Sequence, residues 1–163
     1  DCGHACLLMI MLYHGYARDL TVKDLYFYEE PGKPDYYKSP STGCTNTTQL
    51  LHIAQKATDS QLQLQVISEP ATVENMEALK DRIRADRPVI LLVWYPALNF
   101  ANPANGSFDH WIVVTGFTGE TFYINDPLWT SKGDGEQKPI PASTLLHACQ
   151  SAHSAPNKFL GVY

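Results

Sequence analysis

The first apolar stretch, CGHACLLMIMLY from Cys2 to Tyr13, is hydrophobic on nearly every side and is followed by Gly15. A run of helix formers closed by glycine predicts a helix of about three turns. With no polar face, that helix belongs in the interior. Thr21 and Asp24 form a capping-box-like pair, which predicts a second helix from Thr21 to about Glu30. The segment PGKPDYYKSPSTG then places three prolines and two glycines in thirteen residues and reads as a long loop. A third helix is predicted over Thr45 to Ala57, with Leu50, Leu51, Ile53 and Ala54 as its inner stripe. LQLQVI alternates as a strand does, and Thr72 to Ala85 reads as a helix with Glu74 and Glu77 in its first half, near the positive end of the dipole.

The pattern changes from there on. VILLVWY, HWIVVTGF and TFYIND are β-rich, and Thr118-Gly119-Glu120 between the last two suits a tight hairpin. A helix over Ala142 to Ser151, opened by Pro141, precedes a last strand, KFLGVY. Helices gather in the first half and antiparallel strands in the second, the order of an α+β fold. Neither an internal repeat nor a linker interrupts it. At 163 residues and 44% hydrophobic, the chain is read as one domain, 1–163.

Composition narrows the function. The net charge is −5, and the 12 Lys and Arg are scattered, with no basic stripe to suit nucleic acid or an anionic membrane surface. No apolar run approaches the roughly 20 residues of a membrane-spanning helix, and Val89 to Tyr95 ends at Pro96. The sequence begins at Asp1, which leads us to expect a segment upstream that has been removed or left out. Four cysteines leave the compartment open, while STGCTNTT and ANPANGS lean weakly towards a secreted or extracytoplasmic protein.

Cys2 stands at the start of the first helix, where unpaired N–H groups and the helix dipole favour a thiolate, the reactive form. Gly3 beside it admits close approach. Taken alone, a cysteine is more often a small core residue. His110 opens one strand and Asp126 closes the next, 16 residues on, so a hairpin brings the two together. A carboxylate there orients the imidazole, the arrangement needed to activate a nucleophile.

The segment DCGHACLLMIMLYHG closely resembles the nucleophile helix of the bacteriocin-processing cysteine peptidases, which cut leader peptides after a double glycine, and of their stand-alone papain-like relatives. The match lies at Asp1, Cys2, Gly3, Ala5, Cys6, Met9, Tyr13 and Gly15. HWIVVTGF and FYINDPLW resemble the histidine and aspartate strands of the same family. The resemblance implies a papain-like fold, an N-terminal helical half packed on a C-terminal antiparallel sheet with the cleft between. It also implies Cys2 as nucleophile, His110 as general base and Asp126 as orienting acid, acting on a peptide or protein substrate without metal or cofactor. In the family a Gln several residues before the cysteine completes the oxyanion hole; here it belongs to an upstream segment or is absent. The same triad serves acyl or peptidyl transfer, and a non-catalytic peptide-binding domain on the same fold is the reading from another class.

Gly3, His4, Trp111 and Trp129 are further candidates, for the substrate cleft. For His4 the competing reading is an exposed first-turn residue, and for Trp111 core packing. The loop YPALNFANPANGSFD is a candidate cleft rim. Cys6, one turn after Cys2, is read as packing, because no second pair of metal ligands accompanies it. Cys44 and Cys149 are either a disulfide or two buried thiols. His14, His52, His147 and His153 have no second titrating group placed with them and are read as surface or core histidines.

Overall fold

The computed structural model describes residues 2–29, 45–100, 106–129 and 133–163. The proline-rich stretch from Pro31 to Gly43, together with Asp1 and Cys44, lies outside the described residues. Among the described residues five helices and six strands follow one another as α1 (Cys2–Tyr13), α2 (Val22–Glu29), α3 (Thr47–Ala57), β1 (Val66–Pro70), α4 (Val73–Arg84), β2 (Val89–Trp94), β3 (Asp109–Thr118), β4 (Thr121–Asn125), β5 (Lys138–Pro141), α5 (Ala142–Gln150) and β6 (Lys158–Val162). A 3₁₀ turn, Tyr95–Leu98, follows β2.

All pairings in the sheet are antiparallel, in the order β1-β6-β2-β3-β4-β5. Helices cover both faces. On one side Cys6, Leu7, Ile10 and Met11 of α1, Leu25 of α2 and Leu50 and Ile53 of α3 pack on Trp111 and Val113. On the other, Met76 and Leu79 of α4 and Leu145, Ala148 and Cys149 of α5 pack on Ile112, Val114, Phe122 and Ile124. Burial on both faces explains why β2 reads as an unbroken apolar run rather than an alternating one.

Local chemistry fixes the ends of the elements. Gly15 has φ of 82°, a left-handed stop after α1, and Tyr16 N–H returns to the Met11 carbonyl at 2.8 Å. Asp24 accepts from both the N–H and the hydroxyl of Thr21 at the head of α2, each at 2.7 Å. Asn46 and Gln49 form a reciprocal capping box, so α3 starts at Thr47 rather than at Thr45. Thr72 caps α4 through Asn75 N–H.

Two strands differ from expectation. LQLQVI enters the sheet only at Val66, because its partner β6 pairs with β1 from Val66 onward and only hydrogen bonds between Gln65 and Tyr163 lie beyond. Strand β5 was not expected, since Pro139 and Pro141 argue against a strand; it lies at the sheet edge, where a missing N–H costs no ladder bond.

The β3–β4 hairpin carries a bulge. Thr118 pairs with Thr121 and Gly116 with Tyr123, but Val114 pairs with Ile124 and Val113 with Asn125, leaving Thr115 as the extra residue. Its hydroxyl donates to the Tyr123 carbonyl at 3.1 Å and accepts from Gln137 Nε2 at 2.9 Å. The one-residue slip decides which face each later side chain takes. With it, the register continues to set Asp126 against Ile112, on the same face as His110; without it, Asp126 would share the opposite face with Trp111.

Candidate active site

The site forms where the start of α1 meets the start of β3. His110 and Asp126 are 1% and 3% exposed, and His110 Nε2 lies 2.7 Å from Asp126 Oδ1. A carboxylate only accepts, so Nε2–H donates. The remaining ring nitrogen, Nδ1, is left for the Cys2 thiol, which stands at hydrogen-bonding range of the imidazole. The structure thus brings Cys2, His110 and Asp126 together in that order.

Three donors converge on Asp126. Besides His110, Leu128 N–H donates to Oδ1 at 2.9 Å and the Trp129 indole N–H to Oδ2 at 3.1 Å. Asp126 N–H in turn donates to the Gly135 carbonyl at 2.8 Å. A Cβ on Gly135 would collide with the Asp126 carbonyl oxygen, so only glycine lets the two strands of this loop close.

Burial opposes the positive charge on His110, but hydrogen bonds to Asp126 and Cys2, with the negative charge on both, outweigh it and hold its pKa above the ordinary value. The ring is held sideways by aromatic edges: Tyr95 at 5.2 Å and Phe108 at 6.1 Å, both near perpendicular. Asp109 anchors the start of β3 by accepting from the backbone N–H groups of His153 and Ser154 at 2.8 and 2.6 Å. His153 stacks on Trp94, 3.9 Å between ring centres. The anchoring role of Asp109 and the aromatic clamp carried no signal in the sequence, since both depend on residues brought together only by folding.

The remaining candidates divide. His4 is neither exposed nor open to a cleft: it is 3% exposed, its Nδ1 lies 3.1 Å from the Thr45 hydroxyl, and its ring stacks on Tyr26. The reason is that Tyr26 of α2 covers this side of the first turn of α1, whose exposed residues, Leu12 and Tyr13, lie at its other end. Trp111 is likewise not a cleft residue; it is 1% exposed, with its indole N–H donating to the Thr45 carbonyl at 2.8 Å, as strand alternation requires. Gly3 is buried against both, and a Cβ there would lie 3.0 Å from Thr45 Cβ and 3.2 Å from Trp111 Cδ1. It serves the close packing of α1 on β3 rather than a substrate surface. Trp129 does belong to the site, through Asp126.

Cys6 is fully buried, donates to the Trp111 carbonyl at 3.2 Å, and its pKa is raised well above the ordinary range by burial and by the charges of Cys2 and Asp126. Cys149 is a buried free thiol, its pKa pushed up by burial; its candidate partner Cys44 lies outside the described residues. Among the described residues no group of three or more His, Cys, Asp or Glu is placed to hold a metal ion. Among them, too, no helix is long and apolar enough to cross a membrane. Six described residues of the candidate rim, Tyr95, Pro96, Asn99, Phe100, Gly106 and Ser107, line an open cavity of about 330 Å³, and Tyr95 links its wall to the His110 ring.

A crystal structure described as a C39-like peptidase from Bacillus anthracis superposes with a TM-score of 0.61 at 19% identity, over 99% of this chain and 86% of that one. A double glycine motif protease from an AMS/PCAT transporter, in complex with the leader peptide, gives 0.55 at 18%, over 99% and 80%. A cysteine protease of Carica candamarcensis in complex with E-64 gives 0.51 at 16%, over 99% and 86%. At these identities the likeness establishes the fold, which is the papain-like α+β architecture. No curated protein matches the chain. The model of the Peptidase_C39 like family matches residues 1–150, and on that match the chain belongs to this family of cysteine peptidase-type proteins.

Proposed function

We propose that the protein is a cysteine peptidase in which Cys2 is the nucleophile, His110 the general base and acid, and Asp126 the group that orients it. The observation that carries the reading is the buried Nε2 to Oδ1 hydrogen bond of 2.7 Å, with the Cys2 thiol hydrogen-bonded to the same imidazole. This is the nucleophile, base and orienter order of covalent acyl transfer.

In the first half-reaction the Cys2 proton passes to His110 Nδ1 and the thiolate sulfur adds to the substrate carbonyl carbon. The oxygen becomes an oxyanion, for which the N–H groups at the start of α1, which have no acceptor within the helix, are natural donors. The C–N bond breaks as the imidazolium returns its proton to the leaving amine. A thioester on Cys2 remains. Water then attacks it, giving its proton to Nδ1, and the sulfur leaves as thiolate to regain the ion pair.

A peptide substrate is supported by the family and by the leader peptide bound to the double glycine motif protease. The reading is tested by a peptide electrophile directed at thiols, with mass spectrometry to locate the label. Cys2 should label first near neutral pH, and Cys2→Ala should lose both the label and hydrolysis. Labelling of Cys2 no faster than Cys149 would overturn the proposal.

A further inference from the structure

Asp126 is held on its outer side by Trp129, and Trp129 is itself held. The indole N–H donates to Oδ2 at 3.1 Å, so both carboxylate oxygens are engaged, with Oδ1 turned to His110. Lys138 Nζ, from the edge strand β5, sits 3.7 Å from the centre of the Trp129 ring and donates to the Asp134 carbonyl at 2.9 Å. The edge of Phe100 meets the same indole at 6.5 Å. Trp129 Cβ is packed against Gly135, the residue whose carbonyl accepts from Asp126 N–H.

We infer that Trp129 is a positioning residue for the Cys2–His110 pair, acting through Asp126, and that Lys138 clamps its indole in the donating orientation. The inference rests on the function proposed above and assigns to Trp129 a role different from lining the substrate cleft.

The physical basis is orientation. A carboxylate with one oxygen untethered rotates about its Cβ–Cγ bond; tethering Oδ2 fixes where Oδ1 points. The cation above the indole face adds attraction for the ring, and its charge draws electron density from the N–H, making it a better donor. With Asp126 fixed, the imidazolium is supported, and the balance between thiol with imidazole and thiolate with imidazolium moves to the charged side. Among the described residues the titratable groups facing the Asp126–His110 pair are Cys2 and Cys6 from α1, with Lys138 from β5 behind the indole.

The readout is the rate of Cys2 alkylation by iodoacetamide as a function of pH, followed by mass spectrometry, which requires no substrate. Trp129→Phe keeps the ring and removes the N–H. It should alkylate at Cys2 at least about threefold more slowly at pH 6, with the half-maximal rate moved to higher pH. Lys138→Met should give a smaller shift in the same direction, and Lys138→Arg, which stacks as well, should restore the profile. If Trp129→Phe does not fold, the two Lys138 variants carry the test alone. Superimposable profiles for wild type, Trp129→Phe and Lys138→Met, each folded by circular dichroism, would overturn the inference and leave the triad standing. A wild-type Cys2 no more reactive than an ordinary exposed thiol would overturn both.

Discussion

His110 and Asp126 are 16 residues apart in sequence, and their side chains meet at 2.7 Å because Thr115 is a bulge. A regular hairpin from Thr118 and Thr121 would place Asp126 opposite Val113 and so on the face of Trp111. The extra residue changes that partner to Ile112 and turns Asp126 to the face of His110. Gly116, beside the bulge, is where a strand relaxes most easily.

Deleting Thr115 should therefore separate the two residues without removing either. We expect the deletion to lose the His110–Asp126 hydrogen bond and the reactivity of Cys2 towards iodoacetamide, while far-ultraviolet circular dichroism remains that of an α+β protein. A deletion variant with wild-type Cys2 reactivity would show that the register does not govern the site.

Asp126→Asn keeps shape and removes charge. The amide nitrogen offers a donor where the imidazole needs an acceptor, so the ring settles in another tautomer or turns away. Loss of roughly two to four orders of magnitude in kcat, with smaller effect on KM, is expected by analogy with other triads. Steady-state kinetics on a cleaved peptide measures it, and a loss below tenfold would contradict the orienting role.

The raised pKa of His110 also links stability to pH. Burial alone would lower it, but Asp126 and Cys2 raise it, so the folded value lies above the unfolded value of about 6.5. A group raised on folding contributes stability that is fully present below the unfolded pKa and is lost as pH rises through the folded one. Urea denaturation at a series of pH values from 6 upwards should show wild-type stability declining across that window relative to His110→Gln. Imidazole NMR should place the His110 titration above the ordinary value, and a titration below it would refute the sign.

Gly135→Ala should act at a distance. Its Cβ would overlap the Asp126 carbonyl oxygen, which is backbone and cannot rotate away. The loop must open, at a cost of about 1–3 kcal/mol. A lowered melting temperature together with slowed Cys2 alkylation is expected. A variant that melts early but alkylates normally would show the loop to be structural only.

Much of the frame was legible in the sequence because its signals are local. The all-round apolar run fixed α1 over the residues observed, Thr21 and Asp24 marked the head of α2, and Thr118-Gly119-Glu120 marked the hairpin between β3 and β4. Strand β5 was hidden by its prolines, which matter only once its place at the edge is known. His4 read as exposed because first-turn residues often are; its burial depends on Tyr26 and Thr45, from elsewhere in the chain.

The sequence by itself determined which residues are the candidates for the chemistry, since a cysteine at a helix start, a histidine opening a strand and an aspartate closing the next are readable from type and order. Tertiary structure alone decided that they converge. Facing across a hairpin is a matter of register, and one bulged residue reverses it. Tertiary structure also decided the support of Asp126 by Trp129, Lys138 and Gly135, because hydrogen bonds and cation–π contacts between elements arise only when packing fixes the distances between side chains that sequence spacing leaves free.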